Sequence, residues 1–281
     1  MDKASVSVVI PSYNSVNTIE RAISSISKQT LLPKEVIIVD DCSTDKRTEK
    51  ILNIIERKYN RYFNLKIIRS DINLGPGASR NIGWKNSNEE YIAFLDADDA
   101  WHKYKIEIQY KYMIDNPDVD FSCHNNIILN DEETNYINKS EKVEKEVVTF
   151  QQLLFRNKIA TRSVMLKRSI KNRFKLGKYH SEDYLLWLEI ASSGYKIVRL
   201  DSRLAISYSH PFLGDGLSGN LVKMFKGEID SYNKILYERK INIINYSIIV
   251  FFSHARFYRR VSLALLLNFK TSFNNYTKGS E

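Results

Sequence analysis

The chain has 281 residues, of which 43% are hydrophobic, so it can bury a large α/β core and is not expected to be disordered. Its two cysteines, Cys42 and Cys123, lie far apart without metal-ligand spacing, which argues against both a disulfide framework and a zinc site. The formal net charge of +9 predicts an anionic partner, and nucleic acid is discounted because no zinc-finger, basic-zipper or aromatic RNA-binding signature is present.

Strands and helices alternate through the first hundred residues. Short apolar runs predict four strands, over 5–10, 35–39, 65–68 and 91–95. Helices are predicted between them, the first burying Ile19, Ala22, Ile23 and Ile26, the second burying Ile51, Leu52, Ile54 and Ile55, and the third spanning 78–86. This alternation is typical of a doubly wound α/β fold, a mostly parallel sheet with helices on both faces.

Beyond residue 116 the pattern is less regular. We predict short strands over 121–123, 127–129 and 160–166, an exposed loop over 130–146, and a helix over 149–155. A further helix is predicted over 181–193, with Ser181 as its N-cap and Gly194 closing it. From residue 219 the pattern is helical, so we divide the chain into 1–116, 117–218 and a C-terminal helical extension over 219–281.

The helical extension contains two apolar runs, 246–252 and 261–267, separated by His254 and three arginines. Neither run approaches the ~18 to 20 apolar residues needed to cross a bilayer. Two interpretations stay open: a helix lying on an anionic membrane surface, or a helix packed on the domain or on a second subunit of a homo-oligomer. The N-terminal residues enter a strand pattern at once, with neither signal peptide nor anchor, so a cytoplasmic location is expected.

Each predicted strand of the first part is followed by a cluster of polar residues. The clusters are 11–14, 40–45, 73–80 and 96–99. Ligands of parallel sheets bind beyond the carboxyl ends of the strands, so these four loops are expected to meet at one edge of the sheet.

The last of these clusters places three acids within four positions after an apolar strand. Asp96 and Asp98 are two positions apart, so in an extended segment their side chains project to the same side from α-carbons ~6.6 Å apart. Such oxygen ligands suit Mg²⁺ or Mn²⁺, which complete their coordination with water and substrate phosphate oxygens. The alternative is a solvated acidic turn that caps a helix beginning near Trp101.

The other clusters offer candidate binding residues. Tyr13 can present a flat face to a base, although 11–14 is also an ordinary turn sequence. Asp40 and Asp41 can accept hydrogen bonds from a base or a ribose, while neighbouring residues of 40–45 can cap the next helix. The glycine-rich stretch 73–83 leaves backbone amides for an anion and places Arg80 one turn into a helix, but it is neither a Walker loop nor a dinucleotide fingerprint.

Two candidates lie further along the chain. Asp183 follows Glu182 in the first turn of a predicted helix and is a candidate base for an incoming hydroxyl, although the helix dipole alone favours acids there. His210 is a candidate contact to metal or phosphate, although a lone histidine is more often structural.

Taken together and in this order, segments 8–14, 39–45, 75–83 and 95–99 and the pair Glu182 and Asp183 resemble the family 2 glycosyltransferases, which have the GT-A fold. The resemblance covers roughly residues 4–215, and five motifs in register are far more specific than any one of them. It implies an inverting transfer of a sugar from a nucleotide-diphosphate sugar, usually a UDP-sugar, assisted by Mg²⁺ or Mn²⁺. It also implies that 1–116 binds the nucleotide sugar and that 117–218 binds the acceptor and carries the base.

The resemblance assigns roles to the candidate residues. By the resemblance, Pro11, Tyr13 and Asp41 would hold the uridine, with Asp40 close by, and Arg80 would lie near the nucleotide. Asp96 and Asp98 would match the metal and diphosphate site, with Asp99 beside them. Their neighbours Asn14 and Ala97 are further candidates for donor binding, and His210 is kept as a candidate metal contact. Asp183 matches the general base. The chain departs from the usual pattern at Cys42 and Ser79, and the Gln-x-x-Arg-Trp motif of processive synthases is absent after Trp187. One sugar per acceptor is therefore expected.

An acceptor that is a lipid-linked saccharide, as in O-antigen, capsule or exopolysaccharide synthesis, would explain the basic surplus and the apolar C-terminal runs. Such acceptors reside at the inner face of a bacterial membrane, so peripheral membrane contact is expected. Two alternatives stay open. A sugar-nucleotide pyrophosphorylase would have a glycine- and lysine-rich loop after the first strand, which is missing here, and a non-catalytic nucleotide-sugar-binding protein would use Asp183 only as a helix-capping acid.

Overall fold

A computed structural model describes residues 3–128, 145–208 and 220–278, with side chains in the last helix described as far as residue 264. The chain divides into two compact units, Met1–Tyr208 and Ser209–Glu281. Nearly all of the predicted loop over 130–146 and the candidate residue His210 lie outside the described residues. The predicted subdivision of the first unit at residue 116 stays a prediction.

The first unit alternates strands and helices along its N-terminal half. Its elements are β1 Ala4–Ser12, α1 Ile19–Ser27, β2 Pro33–Asp40, α2 Thr48–Tyr59, β3 Asn64–Arg69, α3 Pro76–Lys85 and β4 Tyr91–Phe94. The second half contains β5 Ala100–Trp101, α4 Lys105–Asp115, β6 Phe121–Ile128, β7 Lys145–Val147, α5 Phe150–Phe155, a 3-10 turn Thr161–Ser163, β8 Met165–Lys167, α6 Glu182–Ser192 and β9 Ile197–Ser207.

The described strands form one mixed sheet in the order β3-β2-β1-β4-β8-β6-β9-β5, and β7 pairs with β9. Strands β3, β2, β1 and β4 are all parallel, as are β6 and β9. Strand β8 runs antiparallel to both β4 and β6 and so joins the two parallel groups. The predicted α/β fold with a mostly parallel central sheet is confirmed.

Helices cover both faces of this sheet. Successive side chains of a strand point to opposite faces. Val8 and Ile10 of β1 belong to the core cluster that includes Ile23 of α1. Val9 points the other way, towards α3, where a Cβ added to Gly83 would lie only 2.3 Å from Val9 Cγ1. Helices α1 and α3 therefore pack on opposite faces, and glycine at position 83 allows the close approach of α3.

The buried face of α1 is as predicted, but that of α2 is not. Ile19, Ala22, Ile23 and Ile26 are buried in α1. In α2 the buried residues are Thr48, Leu52, Ile55 and Tyr59, whereas Ile54 is 45% exposed. The observed set follows spacings of four, three and four, so Ile54 falls outside the buried stripe.

Three predictions for the second half were wrong in detail. Trp101 lies in β5 rather than in a helix, because β5 pairs with β9, a strand that we did not predict. The two short strands predicted within 121–129 are one strand, β6, with register shifts after His124. The strand predicted over 160–166 is a 3-10 turn followed by β8.

The residue that precedes α6 does not have its predicted capping role. Ser181 does precede the helix, but it adopts a left-handed conformation with φ of 53° and makes no side-chain capping bond. A serine in this conformation cannot act as an ordinary N-cap, which has extended backbone.

The second unit is helical, as predicted, with α7 Leu221–Tyr237 and α8 Ile243–Lys278. Glu228 of α7 accepts hydrogen bonds from Ser253 and Arg256 of α8, which ties the two helices together. No helix in the described part of the chain is long and apolar enough to cross a membrane.

Candidate active site

The carboxyl ends of β1, β2, β3 and β4 lie at one edge of the sheet because the four strands are parallel. Ser12 pairs with Asp40, Asp40 pairs with Arg69, and Val9 pairs with Phe94. The loops that follow these strands contact one another through Asn14, Asp41 and Arg80. The predicted meeting of the four loops is thus found in the structure.

Asn14 connects the loop after β1 to the loop after β2. Its Oδ1 accepts hydrogen bonds from the backbone amides of Thr44 and Asp45, both at 2.9 Å, and its backbone amide donates to the Ser43 hydroxyl. The residue has a φ of 51°, a left-handed conformation that asparagine tolerates better than most residues. Tyr13 beside it is 49% exposed, so its ring is available to a ligand.

Asp41 connects the loop after β2 to the glycine-rich loop. It is buried, and its two carboxylate oxygens accept hydrogen bonds from the amides of Leu74 (2.9 Å) and Gly75 (2.7 Å). Asp40 is also buried at the end of β2 and receives a long, 3.4 Å contact from the amide of Ser43. The glycine-rich loop therefore differs from the predicted anion cradle, because the amides of Leu74 and Gly75 donate to the Asp41 carboxylate of the protein itself.

Arg80 lies at the centre of the site. Its Nη1 donates to Glu182 Oε1 at 2.8 Å, and its Nη2 donates to Asp96 Oδ1 at 2.7 Å. The guanidinium is buried, and its Cζ atom lies 5.4 Å from the centroid of the Phe174 ring. Instead of standing open to an anion, as predicted, Arg80 joins the acidic turn after β4 to the start of α6.

Burial and charge act against each other in this group. The pKa of Glu182 is raised to about 7, because burial and the nearby Asp183 raise it by more than Arg80 lowers it. Burial alone would lower the pKa of Arg80, but the Asp96 and Glu182 carboxylates outweigh it and raise the pKa. The arginine therefore stays charged, and the ion pair depends on the ionised form of Glu182.

The acidic turn after β4 is anchored on both sides. Arg21 of α1 donates to the carbonyl oxygen of Asp98, and Arg162 Nη1 donates to Asp99 Oδ2 at 2.8 Å. Asp98 is exposed, whereas Ala97 and Asp99 are buried. The pKa of Asp99 is raised to about 7, because burial together with the neighbouring Asp96 and Asp98 outweighs the lowering effect of Arg162.

The carboxylate oxygens of this turn suit a hard divalent cation that is bound together with an anionic ligand. The Asp96 side chain is 23% exposed, Asp98 is exposed, and Asp99 Oδ1 is buried without a hydrogen-bond partner. Among the described residues, no group of three His, Cys, Asp or Glu side chains forms a complete cation site. A cation here would need further oxygens from water or from a diphosphate, as Mg²⁺ commonly does.

Asp183, the predicted base, lies in the first turn of α6 beside Glu182. Its Oδ2 accepts a hydrogen bond from the Thr161 hydroxyl at 2.8 Å, and its Oδ1 accepts one from the amide of Tyr184 at 2.7 Å. Asp183 is partly exposed, and within the described ranges no cation pairs with it. The adjacent acids thus differ: Glu182 is buried and paired with Arg80, while Asp183 faces neutral donors.

The sequence analysis did not single out Thr161 and Arg162 of this site. The pair Glu182 and Asp183 was recognised, but nothing in its sequence indicated that Glu182 would bind Arg80. Thr161 and Arg162 lie in an irregular segment that we expected to be a strand, so no pattern pointed to them. Only the fold brings this segment next to the acidic turn and α6.

The mixed sheet, with its acidic residues gathered at the strand ends, has the architecture of the GT-A glycosyltransferases. The family model for glycosyl transferase family 2 matches residues 7–178. The chain belongs to this family.

Curated relatives agree with this assignment. WfgD from Escherichia coli, a UDP-Glc:alpha-D-GlcNAc-diphosphoundecaprenol beta-1,3-glucosyltransferase, is 34% identical over 190 residues, which cover 68% of this chain and 71% of WfgD. Some relatives are longer: an uncharacterized glycosyltransferase from Rickettsia felis is 39% identical over 189 residues, but this chain spans only 30% of it.

Solved structures share the fold. S. aureus TarS 1–349 in complex with UDP-GlcNAc superposes with a TM-score of 0.67 at 22% identity, covering 91% of this chain and 72% of that chain. The mannosyltransferase PcManGT from Pyrobaculum calidifontis, in complex with GDP-Man and Mn²⁺, has a TM-score of 0.65 at 15% identity and covers 100% and 80%. At these identities the likeness shows the fold alone.

Proposed function

We propose that this protein is an inverting, non-processive glycosyltransferase that moves a sugar from a UDP-sugar to a hydroxyl of a lipid-linked saccharide. One observation carries the proposal: carboxylates from the turn after β4 and from the start of α6 meet around Arg80, beside the loops after β1 and β2. The names of two similar proteins support the donor and acceptor, since WfgD uses UDP-Glc on a diphosphoundecaprenol-linked sugar and TarS binds UDP-GlcNAc.

The first part of the site binds the donor. The half-exposed ring of Tyr13 is suited to stacking on the base, between Pro11 and the loop organised by Asn14. Asp96 and Asp98 are the residues that would hold Mg²⁺ or Mn²⁺ and, through it, the diphosphate. The bound ion supplies positive charge next to the departing diphosphate. Arg80 fixes the Asp96 carboxylate before the donor arrives, which reduces the reorganisation needed on binding.

The second part of the site activates the acceptor. Asp183 is better suited than Glu182 to take the proton of the acceptor hydroxyl, because Glu182 is buried against Arg80 while Asp183 is partly exposed. The activated hydroxyl attacks the anomeric carbon from the face opposite the diphosphate. The bond to the diphosphate breaks as the new glycosidic bond forms, so configuration inverts in a single displacement.

The composition of helix α8 favours an acceptor that is held at a membrane surface. It contains five Lys or Arg residues and no Asp or Glu over its 36 residues. Ile244, Ile248 and Phe251 are exposed at spacings of four and three, which places them on one face, and Phe252 is exposed beside them. A basic helix with an exposed aromatic and aliphatic face is suited to lie in the interface of an anionic bilayer.

The catalytic proposal can be tested with purified protein and a panel of UDP-, GDP- and dTDP-sugars, with a polyprenyl-diphosphate saccharide as acceptor and mass spectrometry as the readout. We expect transfer from a UDP-sugar with inversion, which chelator abolishes and Mn²⁺ or Mg²⁺ restores. Asp183→Asn should keep donor affinity and lose transfer, whereas Asp98→Ala should lose the metal-dependent part of UDP binding in calorimetry. Full transfer by Asp183→Asn would instead support a non-catalytic role for this residue.

The membrane proposal needs a separate assay. We expect the full chain to float with vesicles that contain phosphatidylglycerol and to bind neutral phosphatidylcholine vesicles less well. A Phe251→Ser, Phe252→Ser double variant should lose most of this binding. The control is Tyr237→Ser, which removes a side chain that is 89% exposed on α7. Equal flotation of the native and double-variant proteins would contradict this use of α8.

A further inference from the structure

The 3-10 turn Thr161–Ser163 contacts both halves of the proposed site. Thr161 donates to Asp183 Oδ2, and Arg162 donates to Asp99 Oδ2, each at 2.8 Å. The turn thus lies between the start of α6 and the acidic turn after β4, although it is distant from both in sequence.

The turn is itself rigidly held. The Trp101 indole donates to the carbonyl oxygen of Arg162 at 2.8 Å, and Gln109 Nε2 donates to that of Ser163 at 3.0 Å. Thr161 and Ser163 are both buried. Because its carbonyl oxygens are fixed by side chains from β5 and α4, the turn has little freedom to move relative to the sheet.

The hydrogen bond from Thr161 has a defined direction. An ionised carboxylate only accepts hydrogen bonds, so the Thr161 hydroxyl must donate its proton to Asp183. The Tyr184 amide occupies the other carboxylate oxygen. These two donors on opposite oxygens fix the plane of the carboxylate and thereby the direction of its remaining lone pairs.

We propose that Thr161 is a positioning residue for the reaction, which fixes the Asp183 carboxylate so that a lone pair faces the acceptor hydroxyl. This inference rests on the proposed function, in which Asp183 is the base. Arg162 of the same turn fixes Asp99, so the base and the acidic turn are held in one geometry by a single short segment. Thr161 itself acts on the substrate only through Asp183.

The test compares Thr161→Val, which keeps the shape of the side chain and removes the hydroxyl, with Thr161→Ser, which keeps the hydroxyl. We expect Thr161→Val to lower kcat about 10- to 100-fold, the usual effect of losing a hydrogen bond to a charged group. The KM for the donor should stay within about twofold, and Thr161→Ser should restore most of kcat, because binding and catalysis separate at this residue.

The matched control is Thr48→Val on α2. Thr48 is buried to a similar degree, and its hydroxyl oxygen has no hydrogen-bond partner, so the same chemical change should leave both kcat and KM unaltered. Calorimetric UDP affinity will show that each variant is folded. If Thr161→Val does not fold, Thr161→Ala gives the same comparison with Thr161→Ser.

The outcomes separate the two proposals. Native kcat in Thr161→Val, together with loss of transfer in Asp183→Asn, would overturn the positioning role and leave the proposed function intact. An equal loss of kcat in Thr161→Val and Thr161→Ser would also overturn it, because the hydroxyl would then not be the cause. Full transfer by Asp183→Asn would overturn the positioning role together with the assignment of Asp183 as the base, while a native protein that transfers no sugar would overturn the proposed function itself.

Discussion

Replacing Arg80 by Met should destabilise the first unit strongly, because it leaves two carboxylates without their shared cation. Removing one partner of a buried ion pair costs about 3 to 5 kcal/mol of the free energy of unfolding. The side chains of Arg80, Glu182 and Asp96 are 6%, 10% and 23% exposed, so solvent screens this pair less than it does a surface pair. For a unit of this size, such a loss lowers Tm by about 6 to 20 °C.

The loss in Arg80→Met should also grow with pH. Burial and Asp183 already raise the pKa of Glu182 to about 7, and removing Arg80 takes away the charge that opposes this rise. An acid whose pKa is raised by folding stabilises the folded state when protonated, and this stabilisation is lost as pH rises through the folded pKa. The variant should therefore be closest to the native protein at pH 5 and furthest from it at pH 8.

Thermal unfolding followed by circular dichroism at pH 5, 6, 7 and 8 measures both effects. The double variant Arg80→Met, Glu182→Gln should recover part of the lost stability at pH 8, because a neutral amide replaces the unpaired charge. Lys58→Met is the control, since the ion pair of Lys58 with Glu20 is exposed and its removal should change Tm little. A Tm loss of the same size at pH 5 and pH 8 would refute the reasoning and indicate lost packing instead.

Three further substitutions test other parts of the fold. Gly83→Ala should cost about 1 to 3 kcal/mol or more, because its Cβ would lie 2.3 Å from Val9 Cγ1, and adding Val9→Ala should recover much of this in urea unfolding. Lys105→Met should raise Tm at pH 7, because Lys105 is fully buried and burial lowers its pKa well below the ordinary value. The gain in Tm should shrink towards pH 10, where lysine in the unfolded chain also loses its proton. A lower Tm of the variant at pH 7 would contradict this prediction. Asn14→Ala should lower Tm more than Asn14→Gly, because both lose the bonds to Thr44 and Asp45 but only alanine is strained at a φ of 51°; equal losses would show that strain is unimportant.

The sequence by itself determined the order of strands and helices in the first hundred residues and the position of the polar loops at their ends. Both are local properties: apolar residues at helical spacing fix the face of α1, and strand ends are marked by the change from apolar to polar residues. The family resemblance followed from the same local motifs. Where two apolar registers competed, as at Ile54 in α2, spacing alone gave the wrong buried face.

Only the tertiary structure decided which partner each charged residue has. Arg80 and Glu182 are separated by 102 positions, Thr161 and Asp183 by 22, and Arg162 and Asp99 by 63. No periodicity in the chain records such contacts, because they depend on strand β8 entering the sheet antiparallel between β4 and β6. That pairing brings the 3-10 turn and α6 to the edge where the parallel strands end. The motifs therefore identified the acids, and the packing of distant segments determined which of them are buried, paired or accessible.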